Sequence, residues 1–383
     1  MSVTKPAGFR AAGVTAGLKT SGGLDVALVV NDGPKFSAAG VFTSNRVKAA
    51  PVLWSQQVLK SGLLRAVVLN SGGANACTGP QGFADTHVTA EHAAAALGCG
   101  AGEVAICSTG LIGELLPMDR LLPGVTSAHG AITAEGGDNA AVAIMTTDTV
   151  PKTAVVEGSG FVIGGMAKGA GMLAPGLATM LVVLTTDAVA SAEALDTALR
   201  NAVSTTFDRV DSDGCMSTND TVLLLSSGAS GVEPSVDQLT HAVESACATL
   251  ARMLVADAEG ASKEIAVEVV GAATETDAIE VARAVTRSNL LKCAIHGEDA
   301  NWGRVLAAVG TTGAAFESDE LSVAINDVWV CRNAAPGADR SLVDLSGREV
   351  RITVDLGAGN ASATVWTNDL TAEYVHENSV YST

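Results

Sequence analysis

Thr179 stands between a glycine-rich segment, residues 164–178, and the apolar run 180–185. Its hydroxyl could attack the carbonyl carbon of Ala178 and shift the chain from an amide to an ester. Hydrolysis of that ester would make Thr179 N-terminal, and its α-amine, with an ordinary pKa of about 8, could act as the base of its own hydroxyl. Spacing alone does not decide the matter, because a strand entered through a flexible linker has the same pattern.

Other polar residues could complete a site for acyl transfer. Thr109 and Gly110 follow the apolar run 104–107, where a turn exposes hydrogen-bond donors and glycine allows a close backbone approach to an oxyanion. Lys168 is a lone cation in the glycine-rich segment and suits a carboxylate, although an exposed loop lysine would look the same. Glu259 is an acid near the end of a predicted helix, where it opposes the helix dipole.

The elements that must position these residues alternate between strands and helices. Apolar, β-branched runs bounded by Gly, Asn or Ser predict strands, for example at 24–30, 66–69 and 104–107. Residues 153–157 and 161–164 flank Gly158-Ser-Gly160, which predicts a hairpin turn. Ser191 caps one predicted helix, and a capping box at Ser235 opens another that should end at Gly260. This order predicts an α/β protein of layered sheets covered by helices.

The domain organisation is predicted from a change of pattern near residue 264. Beyond it the chain turns to a strand, a helix and hairpin-rich β-structure. We therefore expect a catalytic domain at 1–263 and a smaller α/β domain at 264–383.

Composition excludes several classes of function. Hydrophobic residues make up 48% of the 383 residues and charged residues 17%, which is typical of a globular chain. The formal net charge of −18 argues against nucleic-acid and anionic-membrane partners. The seven cysteines are scattered, as expected of reduced thiols in a cytoplasmic protein. Neither a signal peptide nor a transmembrane run is read, so we expect a cytoplasmic location.

A series of short sequence motifs, taken in order, resembles those of one family of enzymes. The segment 166–180 is similar to the self-processing site of the ornithine acetyltransferases, also called glutamate N-acetyltransferases, which act in arginine biosynthesis. The resemblance runs along nearly the whole chain, through Asn70-Ser-Gly-Gly-Ala-Asn-Ala-Cys77, Ser108-Thr-Gly-Leu-Ile-Gly113, Ile144-Met-Thr-Thr-Asp148, Ser217-Thr-Asn-Asp220, Asp257-Ala-Glu-Gly260, Asn301-Trp-Gly-Arg304 and Glu377-Asn-Ser-Val-Tyr-Ser-Thr383.

The resemblance implies a role for particular residues. Thr179 would be the nucleophile, freed by cleavage after Ala178, and Thr109 and Gly110 would form the oxyanion hole. The matching substrate-binding positions are Thr146, Lys168, Thr179, Glu259, Asn378 and Thr383. The neighbouring Thr147 could be confused with Thr146, and the last two positions require the C-terminal tail to fold back into the site.

The resemblance also implies the fold, the reaction and the assembly. The fold would be an αββα sandwich like that of the N-terminal-nucleophile hydrolases. Acetyl transfer from N-acetylornithine to glutamate would be a ping-pong reaction without a metal or organic cofactor, and acetyl-CoA would be a possible co-substrate. The α and β fragments would form a heterotetramer of two copies each.

Two other functions fit parts of the pattern. An N-terminal-threonine hydrolase or aminopeptidase would use the same nucleophile but pass the acyl group to water. It would have no need of a clamp for a second amino acid. A non-catalytic assembly protein on the same sandwich would not require threonine at position 179.

Overall fold

The computed structural model describes residues 2–174 and 180–380. Ala178, Thr179 and Thr383, to which the sequence assigns cleavage, catalysis and substrate binding, lie outside the described residues. The strands are β1 (Phe9–Val14), β2 (Val26–Asn31), β3 (Ala38–Phe42), β4 (Ala66–Asn70), β5 (Val104–Ser108), β6 (Lys152–Glu157), β7 (Val162–Lys168), β8 (Leu181–Thr186), β9 (Thr221–Ser226), β10 (Glu264–Ala272), β11 (Ser322–Ile325), β12 (Val328–Arg332), β13 (Ala335–Pro336), β14 (Glu349–Asp355) and β15 (Ala361–Asn368). The helices are α1 (Ala50–Val58), α2 (Gly79–Leu97), α3 (Met118–Ala131), α4 (Gly137–Ala143), α5 (Ala192–Thr205), α6 (Val236–Ala256), α7 (Glu275–Thr286), α8 (Asn289–His296), α9 (Trp302–Val309) and α10 (Ala372–Val380).

Two sheets pack face to face in the first two thirds of the chain. Among the described residues one sheet has the order β1-β2-β4-β5 and the other the order β3-β9-β8-β7-β6. Successive residues of β8 point to opposite faces: Leu181 and Val183 pack against the first sheet, whereas Val182 and Leu184 pack against α5 and α6. The four residues are at most 1% exposed, so both faces of this sheet are covered.

The first sheet is covered in the same way by α2 and α3. Every residue of β2 is buried, and apolar residues of both helices belong to the same core. The layers are therefore helix, sheet, sheet, helix, and the predicted αββα sandwich is confirmed. The cap of α5 by Ser191 and the capping box of α6 at Ser235 are confirmed as well.

A third sheet follows with a core of its own. Among the described residues its order is β13-β12-β11-β14-β10-β15, with β10 parallel to β14 and antiparallel to β15. Apolar residues of α7, α8 and α9 pack with this sheet. Its first strand begins at Glu264, and the division into domains 1–263 and 264–383 stays a prediction.

The end predicted for α6 is wrong. The helix ends at Ala256, with Asp257 as its C-cap, so Glu259 lies beyond the helix and not in its last turn. Asp257 accepts hydrogen bonds from Thr149 and Lys152, more than 100 residues away in sequence, and these contacts hold the chain in a non-helical direction. Glu259 therefore does not oppose the dipole of this helix, contrary to the prediction.

No described helix, in either 2–174 or 180–380, is both long enough and apolar enough to cross a membrane.

Candidate active site

The candidate site lies where strand ends of the two packed sheets meet. In the first sheet β4 and β5 run parallel and end together, with Asn70 paired to Ser108. In the second sheet the end of β7 is paired with the beginning of β8, Lys168 to Leu181, and β8 begins beside β9, Leu181 to Thr221. The topology therefore brings the residues that follow β5, end β7, begin β8 and precede β9 to one place.

A cavity of about 420 Å³ opens at this place. Six of the residues that the sequence predicted for the site line it: Thr109, Gly110, Thr146, Lys168, Glu259 and Asn378. Thr147 lines it as well. The roles of these residues stay predictions, but the structure does bring together side chains that lie as far apart in sequence as Thr109 and Asn378.

Thr109 and Gly110 form the turn that follows β5. The carbonyl of Thr109 accepts a hydrogen bond from Gly73 at 3.0 Å, and the N–H of Thr109 donates to Asn70 at 3.0 Å. Gly110 has a φ of +130°, and a Cβ atom here would lie 2.8 Å from the nitrogen of Gly73. Glycine is required at this position because both the backbone angle and the space exclude a side chain.

The turn is also fastened to the second sheet by Asn219. Its side-chain amide donates to the carbonyl oxygens of Ala74 at 2.6 Å and Ser108 at 2.8 Å, and the residue is 5% exposed. Asn219 lies in the motif Ser217-Thr-Asn-Asp220, but no role for it was predicted from the sequence. The signal that could have found it is a run of four polar residues directly before a strand that is buried along its whole length.

Lys168 is the cation of the cavity. The alternative of an exposed loop lysine is wrong, because Lys168 is the last residue of β7 and is only 2% exposed. The ammonium donates to the hydroxyl oxygens of Thr109 at 3.0 Å and Thr146 at 3.1 Å. Burial lowers the pKa of Lys168, while the negative charges of Asp148 and other nearby acids oppose that shift. A buried ammonium with neutral hydroxyl partners is suited to a bound carboxylate.

Glu259 and Asn378 form another side of the cavity. The amide of Asn378 donates to Glu259 Oε2 at 3.0 Å. Gly171 makes room for that carboxylate, because a Cβ atom at Gly171 would lie 2.5 Å from the same oxygen. A carboxylate here offers a partner for the ammonium group of an amino acid.

Helix α10 brings Asn378 back to the site, as the resemblance requires. The hydroxyl of Thr371 donates to the carbonyl of Gly260 at 2.7 Å and accepts from the N–H of Tyr374 at 2.9 Å. The helix passes so close that a Cβ atom at Gly260 would lie 2.2 Å from the nitrogen of Tyr374. These contacts hold the start of the helix against the turn that carries Glu259.

Two buried acids near the cavity were given no role from the sequence. Asp220 is 0% exposed and accepts a hydrogen bond from the N–H of Met180, the residue after Thr179, at 3.1 Å. Burial raises the pKa of Asp220 well above its ordinary value. Asp148 accepts hydrogen bonds from Thr146 N and Gly169 N at 3.0 and 2.6 Å. Burial opposes ionisation of Asp148, but the charges of Lys168 and Lys152 hold its pKa below the ordinary value.

Cys107 is 2% exposed within β5, and burial raises the pKa of its thiol to about 12. Cys107 is therefore a residue of the core between the layers. Among residues 2–174 and 180–380, no group of three or more histidine, cysteine or acidic side chains is arranged to hold a metal ion.

Comparison with known proteins gives consistent matches over the whole chain. The model of the ArgJ family matches residues 10–383. The "Arginine biosynthesis bifunctional protein ArgJ" of Streptomyces coelicolor is 70% identical over 382 residues, covering 100% of both chains. The protein of the same name from Thermobifida fusca is 63% identical over 383 residues, again covering 100% of both.

One solved structure with a similar sequence is that of ornithine acetyltransferase complexed with ornithine from Mycobacterium tuberculosis. It is 61% identical, covers 47% of this chain and 96% of the solved chain, and has a TM-score of 0.43. On the family match and the identities to whole relatives, the chain belongs to the ArgJ family.

Proposed function

We propose that this protein transfers the acetyl group of N-acetyl-L-ornithine to L-glutamate through an acetyl ester on Thr179. The products are L-ornithine and N-acetyl-L-glutamate, so the acetyl group is recycled within arginine biosynthesis. Membership of the ArgJ family supports this reaction, and so do the names of relatives that are 70% and 63% identical.

The observation that carries the proposal is the chemistry of the cavity lining. A buried cation, Lys168, and a carboxylate, Glu259, line the same 420 Å³ space together with the Thr109–Gly110 turn. An amino acid carries a carboxylate and an ammonium group, and a cavity that offers both opposite charges suits it better than it suits a neutral acyl compound.

The first step of the proposed mechanism makes the nucleophile. The hydroxyl of Thr179 attacks the carbonyl carbon of Ala178, the amide C–N bond breaks, and the nitrogen of Thr179 takes up a proton. Water then hydrolyses the ester, which leaves Ala178 with a carboxylate and Thr179 with a free α-amine. This amine is the base in the later steps.

The second step loads the enzyme. The α-amine of Thr179 accepts the hydroxyl proton while the oxygen attacks the acetyl carbon of N-acetylornithine. Negative charge develops on the acetyl oxygen, where the hydroxyl of Thr109 and the N–H of Gly110 would donate hydrogen bonds. The C–N bond then breaks, and the departing α-amine of ornithine takes the proton from the amine of Thr179. Glutamate reverses these events with its own α-amine.

Several finer features belong to the same proposal. Thr146, Lys168, Glu259, Asn378 and Thr383 bind the amino-acid substrates, and the reaction uses no metal or organic cofactor. Acetyl-CoA is a second possible acetyl donor. The fragments 1–178 and 179–383 assemble into a cytoplasmic heterotetramer of two α and two β chains.

The test is a product assay with N-acetylornithine in the presence and absence of glutamate. The proposal predicts N-acetylglutamate in amounts equal to the ornithine released, and little ornithine without glutamate. Release of acetate at a rate that does not depend on glutamate would instead favour the N-terminal-threonine hydrolase.

A further inference from the structure

Lys152, at the start of β6, is 0% exposed although it carries a charge. Its ammonium donates to Asp148 Oδ1 at 2.6 Å and to Asp257 Oδ2 at 2.5 Å. Burying an unpaired ammonium would cost far more than a folded protein can offset, so the two carboxylates are what allow a lysine in this position. The three side chains form one buried charge cluster.

Asp148 connects this cluster to the cationic side of the cavity. Besides Lys152 it binds the N–H of Thr146 at 3.0 Å through Oδ2 and the N–H of Gly169 at 2.6 Å through Oδ1. Gly169 directly follows Lys168. A single carboxylate therefore holds the backbone at Thr146 and directly after Lys168, two residues that the proposed function assigns to substrate binding.

Asp257 connects the cluster to the acidic side of the cavity. It caps the end of α6 and stands two residues before Glu259. Its carboxylate also accepts from the N–H of Thr149 at 3.0 Å and from the hydroxyl of the same residue. The turn that carries Glu259 is in this way tied to the segment that carries Thr146.

We propose that Lys152 is a positioning residue that sets the distance between the cationic and the acidic side of the substrate site. It joins the segment of Thr146 and Lys168 to the segment of Glu259 without lining the 420 Å³ cavity itself. The inference rests on the proposed function, because that function defines the two sides as the partners of one amino-acid substrate. Loss of Lys152 would leave each side in place but loosen their separation.

A purely stabilising role is the competing explanation. Buried ion pairs contribute little net stability compared with apolar residues of the same size, so stability is a weak reason for this cluster. The two explanations also differ in what they predict. A stabilising residue affects all reactions of the folded protein alike, whereas a positioning residue affects a substrate that spans the site more than one that does not.

The experiment compares two acetyl donors in the Lys152→Met variant. N-acetylornithine has charges for both sides of the site, whereas p-nitrophenyl acetate has neither. We expect kcat/KM for N-acetylornithine to fall about tenfold more than the rate of acylation by p-nitrophenyl acetate, mainly through KM, since small misplacements carry losses of this order. Equal losses for both donors, or an unchanged KM, would overturn the proposal.

Lys263→Met is the matched control. Lys263 is a buried lysine, 6% exposed, whose ammonium donates to the carbonyls of Leu345 and Gly347 next to the third sheet. Its loss should lower the melting temperature without separating the two donors. If Lys152→Met does not fold, Asp257→Asn replaces it, since asparagine keeps the side-chain shape. This variant should also lose more activity with N-acetylornithine than with p-nitrophenyl acetate, by a smaller factor. Equal losses with the two donors in this variant would overturn the proposal. Activity of the wild type with N-acetylornithine tests the proposed function independently.

Discussion

The ammonium of Lys168 donates a hydrogen bond to the hydroxyl oxygen of Thr109 at 3.0 Å. Because Thr109 accepts this bond, its own hydroxyl hydrogen is left to be donated elsewhere, and donation from a cation makes the hydroxyl a stronger donor in turn. The residue proposed for the substrate carboxylate is therefore also in contact with the residue proposed for the oxyanion. This contact links the roles that we propose for the two residues, substrate binding and transition-state stabilisation.

Replacing Thr109 by valine should lower kcat about 10²–10³-fold, which is the usual cost of losing one oxyanion donor. The side-chain shape is kept, but valine also removes the hydroxyl that accepts from Lys168, so KM for N-acetylornithine should rise by about tenfold as well. Steady-state kinetics of acetyl transfer measures both values. Thr109→Ser, which keeps the hydroxyl, is the control and should retain most of the activity. A valine variant with wild-type kcat would remove Thr109 from the oxyanion hole.

Thr146 and Thr147 both line the cavity, but the hydroxyl that accepts from Lys168 is that of Thr146, at 3.1 Å. Thr146→Val should therefore raise KM for N-acetylornithine by about tenfold, the order expected for a lost hydrogen bond to a charged group. Thr147→Val is the same substitution at the neighbouring position and should raise KM for N-acetylornithine less. The assignment of Thr146 would be wrong if the two variants had equal values of KM, or if Thr147→Val were the more damaging.

Deprotonation of Lys168 should lower kcat/KM for N-acetylornithine on the alkaline side of the pH profile. Burial lowers its pKa, despite the opposing charge of Asp148, and only the protonated form binds a carboxylate. We expect kcat/KM for N-acetylornithine to decline as the pH rises through this lowered pKa, below the value of about 10.4 for an exposed lysine. Lys168→Arg stays charged, so whatever its absolute rate it should lack this decline. A decline that persists in the arginine variant would assign it to another group.

Asp220 should make the free energy of unfolding decrease as the pH rises. Its pKa is raised in the folded protein by burial, so the folded state holds this proton over a range in which the unfolded state has lost it. The contribution of Asp220 is then complete below the unfolded pKa of about 3.9 and is lost as the pH rises towards the folded pKa.

Urea unfolding tests this expectation in the Thr179→Ala background, where the chain should remain continuous. Asp220→Asn mimics the protonated acid and has no proton to lose. As the pH rises above about 3.9, the parent should lose stability relative to the Asn variant by about 1.4 kcal/mol for each pH unit, until the pH reaches the raised pKa of Asp220. A stability difference that is independent of pH would contradict the raised pKa of Asp220.

The pattern of apolar runs was enough to predict layered sheets covered by helices. The order of the short motifs, through the family resemblance, predicted the αββα sandwich and the residues around the cavity. Apolar runs such as that of β8 are buried on both faces, and the polar residues that follow or precede such runs necessarily lie at sheet edges. Thr109 could be found in this way because the apolar run before it determines where it lies. The sequence pattern puts Lys168 in a glycine-rich loop, and its predicted role comes from the resemblance; the structure places it at the end of β7.

Long-range contacts explain what the sequence did not reveal. The periodic apolar residues of α6 continue to Leu254 and Val255, and nothing local indicates that Asp257 ends the helix to bind Thr149 and Lys152. Lys152 follows Pro151 at the start of a strand, where a lysine is normally exposed. It is buried because Asp148 and Asp257 converge on it, and that convergence exists only in the folded chain.

Self-cleavage and acetylation of Thr179 can be measured together as the intact mass of the denatured protein, before and shortly after N-acetylornithine is added without glutamate. We expect two fragments that meet between Ala178 and Thr179, and a 179–383 fragment that becomes heavier by one acetyl group and loses it when glutamate is added. A single full-length mass in a preparation that transfers acetyl groups at full rate, or two fragments of which neither gains an acetyl group, would contradict the proposed mechanism.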